Sequence, residues 1–235
     1  MTDAAAAPEL CVIVFAFNEA ENIAHVLGEL CEWLANNEPR FELVFVDDGS
    51  EDGTSEAARA ALAGLNAKVL RHEHNRGIGA AIKTGVRAAS APWITFMPAD
   101  GQIEPRAIGT LRAAAQDADV DVVFSTYADR EDGALRKVLS FGVRALILAV
   151  HGVRMRSDGP YLFRRVLFVP DELPPDTFFL NFEFPIRVLA RGAKTRNVVI
   201  RCRPRRAGSS KSTGLKRIAG VARDLIDLRV RRFLE

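Results

Sequence analysis

Cysteine is scarce in this sequence, and the three present, Cys11, Cys31 and Cys202, are far apart and odd in number. That excludes a disulfide-stapled scaffold, and no spacing among them fits a structural zinc site. A reducing, cytoplasmic compartment is the resulting expectation. No apolar run reaches the ~18–20 residues of a membrane span. The richest stretch, residues 138–153, is broken by Ser140, Arg144 and His151. The first ten residues, MTDAAAAPEL, have neither a basic start nor an apolar core, so no secretory signal is expected in them. Internal repeats and low-complexity linkers are missing too. A chain of 235 residues, 48% hydrophobic, is therefore expected to form one sizeable domain.

Charge is present in both signs but unevenly placed. Residues 201–235 hold 11 Lys and Arg against 3 Asp and Glu, a net of +8, while the rest carries 21 basic and 27 acidic residues, a net of −6. A basic tail on an acidic body suits attraction to an anionic surface or pairing with that body. Few aromatics interleave the tail and the body would repel a phosphate backbone, which argues against a nucleic-acid partner.

Along the first half, apolar runs suited to buried strands alternate with helical patterns. Residues 10–17, 41–46, 67–71, 93–97 and 120–126 read as strands; 19–35, 51–65, 78–89 and 105–115 read as helices. Asn18 and Glu21 resemble a capping box for the first helix. This alternation predicts an α/β domain whose mostly parallel sheet is covered by helices on both faces. The second half is less regular: helices are expected over 134–150, 182–190 and 214–235, and short strands over 159–163 and 197–202.

Strand 93–97 runs into Pro98-Ala99-Asp100-Gly101-Gln102. A carboxylate at the carboxyl end of a buried strand lies on the rim where open α/β sheets bind ligands. With Gln102 two residues on, and phosphate oxygens from a substrate, Asp100 makes a plausible Mg2+ or Mn2+ site.

Four segments in register, VIVFAFNEAENI, VFVDDGSEDGT, HNRGIGAAIKTG and FMPADGQIEP, resemble family-2 inverting glycosyltransferases of the GT-A fold, a Rossmann-like nucleotide-binding fold. Later segments, DGPYLFRR, FLNFEFPIRVLARGAK and RRAGSSK, narrow the likeness to the dolichyl-phosphate mannose synthase and polyprenyl-phosphate glycosyltransferase branch. The resemblance covers residues 8–215. It implies a catalytic domain over 1–213, with a nucleotide-sugar half at 8–126 and an acceptor half at 127–213, followed by a basic amphipathic helix at 214–235.

It also implies roles. Phe15, Ala16, Phe17, Glu19, Asp47, Asp48, Lys83, Ala99, Asp100, Arg130, Arg205 and Lys211 would hold the nucleotide sugar (GDP-mannose or a UDP-hexose). Asp100 and Gln102 would hold the metal, and Arg136 and Ser140 would meet the acceptor. Asp100, Arg136 and Arg205 would be catalytic. Pro98 departs from the family pattern, which has an aspartate there. A polyprenyl phosphate acceptor is already an anion and needs cations rather than a base. A soluble hydroxyl acceptor, the alternative, would need a carboxylate base, for which Asp158 and Glu183 are the candidates. A non-catalytic nucleotide-sugar-binding module is a third reading, raised by Pro98. Relatives in this branch often carry C-terminal spans. None is found here, so the enzyme is expected to sit peripherally on the inner face of an anionic membrane, held by helix 134–150 and by the tail through Leu215, Ile218, Leu225 and Phe233.

Overall fold

The structure, a computed structural model, describes residues 7–116, 119–128, 134–174, 176–204 and 215–234, with the side chains of 134–140, 215–219 and 233–234 excepted. Seven strands follow in chain order: Leu10–Ala16 (β1), Phe41–Asp47 (β2), Ala67–Arg71 (β3), Trp93–Pro98 (β4), Val122–Tyr127 (β5), Leu162–Arg164 (β6) and Thr195–Ile200 (β7). The helices are Ala20–Asn37 (α1), Thr54–Ala61 (α2), Ile78–Ala88 (α3), Arg106–Ala114 (α4), Ala134–His151 (α5), Leu180–Ala190 (α6) and Leu215–Leu234 (α7).

The strands form one sheet in the order β3-β2-β1-β4-β6-β5-β7. β1 runs parallel to β2 and β4, β2 to β3, and β5 to β7; β6 alone is antiparallel to its neighbours. The expected mostly parallel sheet is therefore present. β1 reads as unbroken apolar sequence because both of its faces are buried. Leu10, Val12, Val14 and Ala16 pack with Ile23 and Leu27 of α1 and Leu111 of α4. Cys11 and Ile13 face the opposite way, toward Ile82 of α3 and Phe184 of α6.

A third, smaller core joins α5 and α6 to α7. Ile147, Met155, Phe179 and Ile186 pack with Leu225 and Leu228, which have no exposed surface. This corrects the membrane-facing role expected of Leu225: Val221, Leu225 and Leu228, at i, i+4 and i+7, turn inward onto the body. Two polar contacts fix the same seam. Arg231 donates to the buried Glu183 at 2.9 Å, and Glu183 also accepts from Arg187 at 2.9 Å. His151 donates through Nε2 to the Leu225 carbonyl at 3.0 Å and faces the Arg232 guanidinium through Nδ1 at 3.3 Å. Among the described residues, no helix is long and apolar enough to cross a membrane.

The His151 seam has a pH signature. Burial lowers its pKa from the ordinary 6.5, the Leu225 bond opposes this, and Arg232 and Arg229 lower it further. The unfolded chain therefore binds the extra proton more readily, so stability is full above about pH 6.5 and is lost as pH falls through the lowered value. The melting temperature is expected to drop between pH 7 and pH 5 by more in the wild type than in His151→Gln, whose amide still donates to Leu225. Parallel melting curves for the two proteins would remove His151 from this role.

Candidate active site at the carboxyl edge of the sheet

Register brings the expected residues to one rim. Ala16 of β1 lies opposite Asp47 of β2, and Phe15 opposite Pro98 of β4. The Ala16 carbonyl accepts the Asp48 N–H at 2.8 Å, and the Phe15 carbonyl accepts the Ala99 N–H at 3.0 Å. Phe15, Phe17, Glu19, Asp47, Asp48, Ala99 and Asp100 therefore lie at the carboxyl ends of three adjacent strands, the edge where such sheets bind ligands.

The loops of that rim are stitched to each other. Asn18, at φ 54°, donates its N–H to Ser50 Oγ at 2.8 Å, and its side-chain oxygen accepts the Glu51 N–H at 2.9 Å. Glu19 N–H donates to Thr54 Oγ1 at 3.0 Å, and Ala20 N–H to Asp52 Oδ2 at 3.1 Å. These bonds replace the capping box expected of Asn18 and Glu21: the helix end is satisfied from the β2–α2 loop, a long-range solution to the orphan donors of a first turn. Burial pushes the Asp52 carboxyl up, but bonds from Thr54 and from the Ala20 N–H outweigh it and hold the group below the usual carboxylate range. Glu19 Oε2 accepts from Asn22 Nδ2 at 2.7 Å.

Asp47 and Asp48, expected to meet the nucleotide, both accept hydrogen bonds from the surrounding loops. Asp47 is fully buried; its Oδ1 accepts the Ser50 N–H at 2.8 Å and its Oδ2 accepts the Ser55 hydroxyl. Asp48 accepts from His72 Nδ1 at 2.7 Å, Arg76 N–H at 2.9 Å and Gly77 N–H at 2.8 Å. Each carboxylate thus organises a loop, through backbone and side-chain donors 3 to 29 residues away in the chain. The His72 ring continues to Thr84 Oγ1 at 2.9 Å. Nothing local in the sequence marks His72 for this position.

Lys83, also expected at the nucleotide, has partners within the protein. It is buried and donates to Asp176 Oδ1 at 2.7 Å and to the Pro174 carbonyl at 3.2 Å, which binds α3 to a segment more than ninety residues away. The glycines before it admit that segment rather than a ligand. A Cβ on Gly79 would lie 2.6 Å from the Asp176 carbonyl carbon, and Ala80 N–H donates to the Asp176 oxygen at 3.0 Å. Burial opposes ionisation of Asp176, but Lys83 and Arg76 together hold its carboxyl below the usual range.

Asp100 is 6% exposed and caps its own turn, its Oδ1 accepting the Gln102 N–H at 3.0 Å while Gly101 takes φ 74°. The Gln102 amide turns its nitrogen toward Cys202 Sγ at 3.9 Å. One carboxylate and one amide oxygen are hard donors of the kind Mg2+ and Mn2+ prefer, and a diphosphate with water would complete the shell. Among the described residues no group of three or more His, Cys, Asp or Glu is placed to hold a metal ion, in keeping with Pro98 in place of a second carboxylate. Arg136 and Ser140 lie on α5 with their side chains outside the described set, and Arg130, Arg205 and Lys211 lie outside the described residues.

Of the two carboxylates considered as a base, Asp158 accepts twice from Arg144 NH2, at 2.7 and 2.8 Å, and Glu183 is fully buried between Arg187 and Arg231.

Comparison with known proteins agrees with this geometry. A model of glycosyl transferase family 2 matches residues 11–177. The dodecaprenyl-phosphate galacturonate synthase of Rhizobium johnstonii is 29% identical over 64% of this chain and 46% of its own length. The undecaprenyl-phosphate 4-deoxy-4-formamido-L-arabinose transferase of Aeromonas hydrophila is 31% identical over 63% of this chain and 46% of its own. The chain thus spans about half the length of these curated relatives. Glucosyl-3-phosphoglycerate synthase of Mycobacterium tuberculosis, solved with Mn2+ and UDP, superposes with a TM-score of 0.71 at 21% identity, over 96% of this chain and 80% of that one. The shared architecture is the GT-A fold.

Proposed function

The chain belongs to glycosyl transferase family 2, and from that premise we propose that it transfers a sugar from a nucleotide sugar to a polyprenyl phosphate, inverting the anomeric carbon and using Mg2+ or Mn2+. The observation that carries this reading is the Asp100-Gly101-Gln102 turn, set on the ligand rim of a parallel sheet beside Phe15, Phe17 and Glu19. When bound there, a divalent ion would offset the charge that develops on the departing nucleoside diphosphate.

The acceptor follows from what the carboxylates are doing. A hydroxyl acceptor needs a base to take its proton. Glu183 has no exposed surface to meet one, and Asp158 is paired with Arg144. A phosphate oxygen, already anionic, attacks the anomeric carbon directly; the bond from that carbon to the donor's diphosphate breaks and its electrons leave with the nucleotide. The chain's own work is to orient: Asp100 and Gln102 toward the donor diphosphate, and Arg136, Ser140, Arg130, Arg205 and Lys211 toward donor and acceptor phosphates. The relatives named for lipid-phosphate acceptors support this choice. Asp47, Asp48 and Lys83 act by holding loops around the site.

Attachment would be peripheral, on the inner face of an anionic membrane. Phe141 and Leu148 of α5 are 74% and 43% exposed, and α7 carries the exposed Arg223 and Arg229.

The test is release of nucleoside diphosphate from GDP-mannose and a panel of UDP-hexoses with a short polyprenyl phosphate. Release is expected with one donor, only with divalent metal, and not when the matching polyprenol replaces the phosphate. Equal release with the alcohol would sink the lipid-phosphate reading.

A further inference from the structure

The Asp100 turn lies beyond the end of β4, where no ladder bond of the sheet holds it. Its position is instead taken from a residue a hundred positions later. Ile103 forms an isolated antiparallel bridge with Cys202, and the Arg203 N–H donates to the Gln102 carbonyl at 2.9 Å. The Arg203 side chain then closes two further links. Nε donates to Glu104 Oε1 at 2.9 Å, just after the turn; NH1 and NH2 donate to Glu29 Oε2 and Oε1, both at 2.9 Å, on α1.

One planar guanidinium thus bridges the segment after Asp100 to a helix of the main core, using the fork geometry that only arginine offers. The bonds to Glu29 and Glu104 raise the basicity of the group further, so it is charged at every working pH. A surface pair of this kind contributes little to stability by itself. Three links converging on one short turn do something else: they fix where the turn sits relative to β1 and α1.

We propose that Arg203 is a positioning residue for the metal-accepting turn Asp100-Gly101-Gln102, holding it through Gln102 and Glu104 against Glu29. The assignment rests on the metal-dependent reading above. It concerns a residue outside both the strand that carries Asp100 and the family segments noted in the sequence.

The test compares wild type with Arg203→Gln and Arg203→Lys by three measurements. Amide hydrogen exchange at Gln102 and Ile103 is expected to quicken about tenfold in Arg203→Gln. Mn2+ affinity in the presence of UDP or GDP, followed by the electron paramagnetic resonance of free Mn2+, is expected to weaken about tenfold. Arg203→Lys, which keeps the charge but not the fork, is expected to fall between. In turnover, the Mn2+ concentration for half-maximal rate should rise while kcat at saturating Mn2+ stays near wild type. A merely structural pair would lower the melting temperature and leave exchange and Mn2+ titration unchanged, and that result overturns the proposal. A wild type that binds no Mn2+ would overturn the metal-dependent reading itself, while exchange at Gln102 still reports whether Arg203 holds the turn. Should Arg203→Gln fail to fold, Glu104→Gln and Glu29→Gln remove one link each and are expected to shift exchange and Mn2+ affinity in the same direction; no shift in either refutes the assignment.

Discussion

Asp100→Ala is expected to lower transfer at least a hundredfold, about 2.7 kcal/mol of barrier, while the protein melts within a few degrees of wild type. The size follows from the site's economy of ligands. With Pro98 at the position before Ala99, Asp100 is the sole carboxylate of its motif, so its loss leaves Gln102 to hold a dication with one neutral oxygen. The fold should survive because the Asp100 bond to the Gln102 N–H is local to its own turn. Initial rates at saturating donor, together with a melting curve, check both halves. A loss under about tenfold would take Asp100 out of the catalytic role. Asp100→Asn separates charge from turn geometry: it keeps an acceptor for the Gln102 N–H, and it is expected to be nearly as inactive as alanine.

Glu183→Ala should be the most destabilising single change at the α6–α7 seam, costing about 3–5 kcal/mol. Glu183 is fully buried, and its two oxygens receive Arg187 from its own helix and Arg231 from α7. Removing it takes a shared carboxylate from two guanidinium groups at once, one of them on a side chain only 6% exposed. Chemical denaturation gives the free energy directly. Arg231→Met should cost less, since it withdraws a charge together with its partner's second bond. If the two variants destabilise equally, the buried charge is not what holds α7. A double variant, Glu183→Gln with Arg231→Met, should recover part of the loss. No recovery would point to packing of Leu225 and Leu228 as the sole fastening.

What the sequence made legible was whatever depends on neighbours in the chain. β1, β2 and β4 stand out because both faces are buried, so apolar residues run without a gap, and the Asp-Gly after β4 marks its end. The shared edge was legible by the same reasoning, since parallel strands bring Phe17, Asp47 and Asp100 to one end of the sheet whatever the loops do. The direction of individual side chains was not. Asp47 and Asp48 read as ligand-facing carboxylates, yet Ser50, Ser55, His72 and the Gly77 N–H claim them first, and only the folded loop decides that. Lys83 finds Asp176 across 93 residues, a pairing that no local pattern encodes. In α7, Leu225 reads as facing the membrane, whereas it packs on the body. Arginines on the flanks of Val221, Leu225 and Leu228 blur a stripe that the packing against Ile147 and Ile186 makes plain. The short strand expected at 159–163 is displaced to Leu162–Arg164 because Gly159 and Pro160 are used to turn the chain against Ser125.

β6 has a consequence for how the two parts of the sheet are held together. Only two residue pairs join it to β4 and two to β5, so the ladder is at its thinnest between β4 and β5. The joint is made instead by rings: Tyr161 lies edge-on to Phe96 at 4.6 Å and near-parallel to Phe184 at 5.6 Å, and Phe163 and Phe168 complete the cluster. Aromatic contacts of this sort tolerate small shifts in strand register that a hydrogen-bonded ladder would forbid. The sheet is therefore joined across β6 by side chains more than by backbone: β3-β2-β1-β4 on one side and β5 with β7 on the other keep their mutual placement largely through these rings.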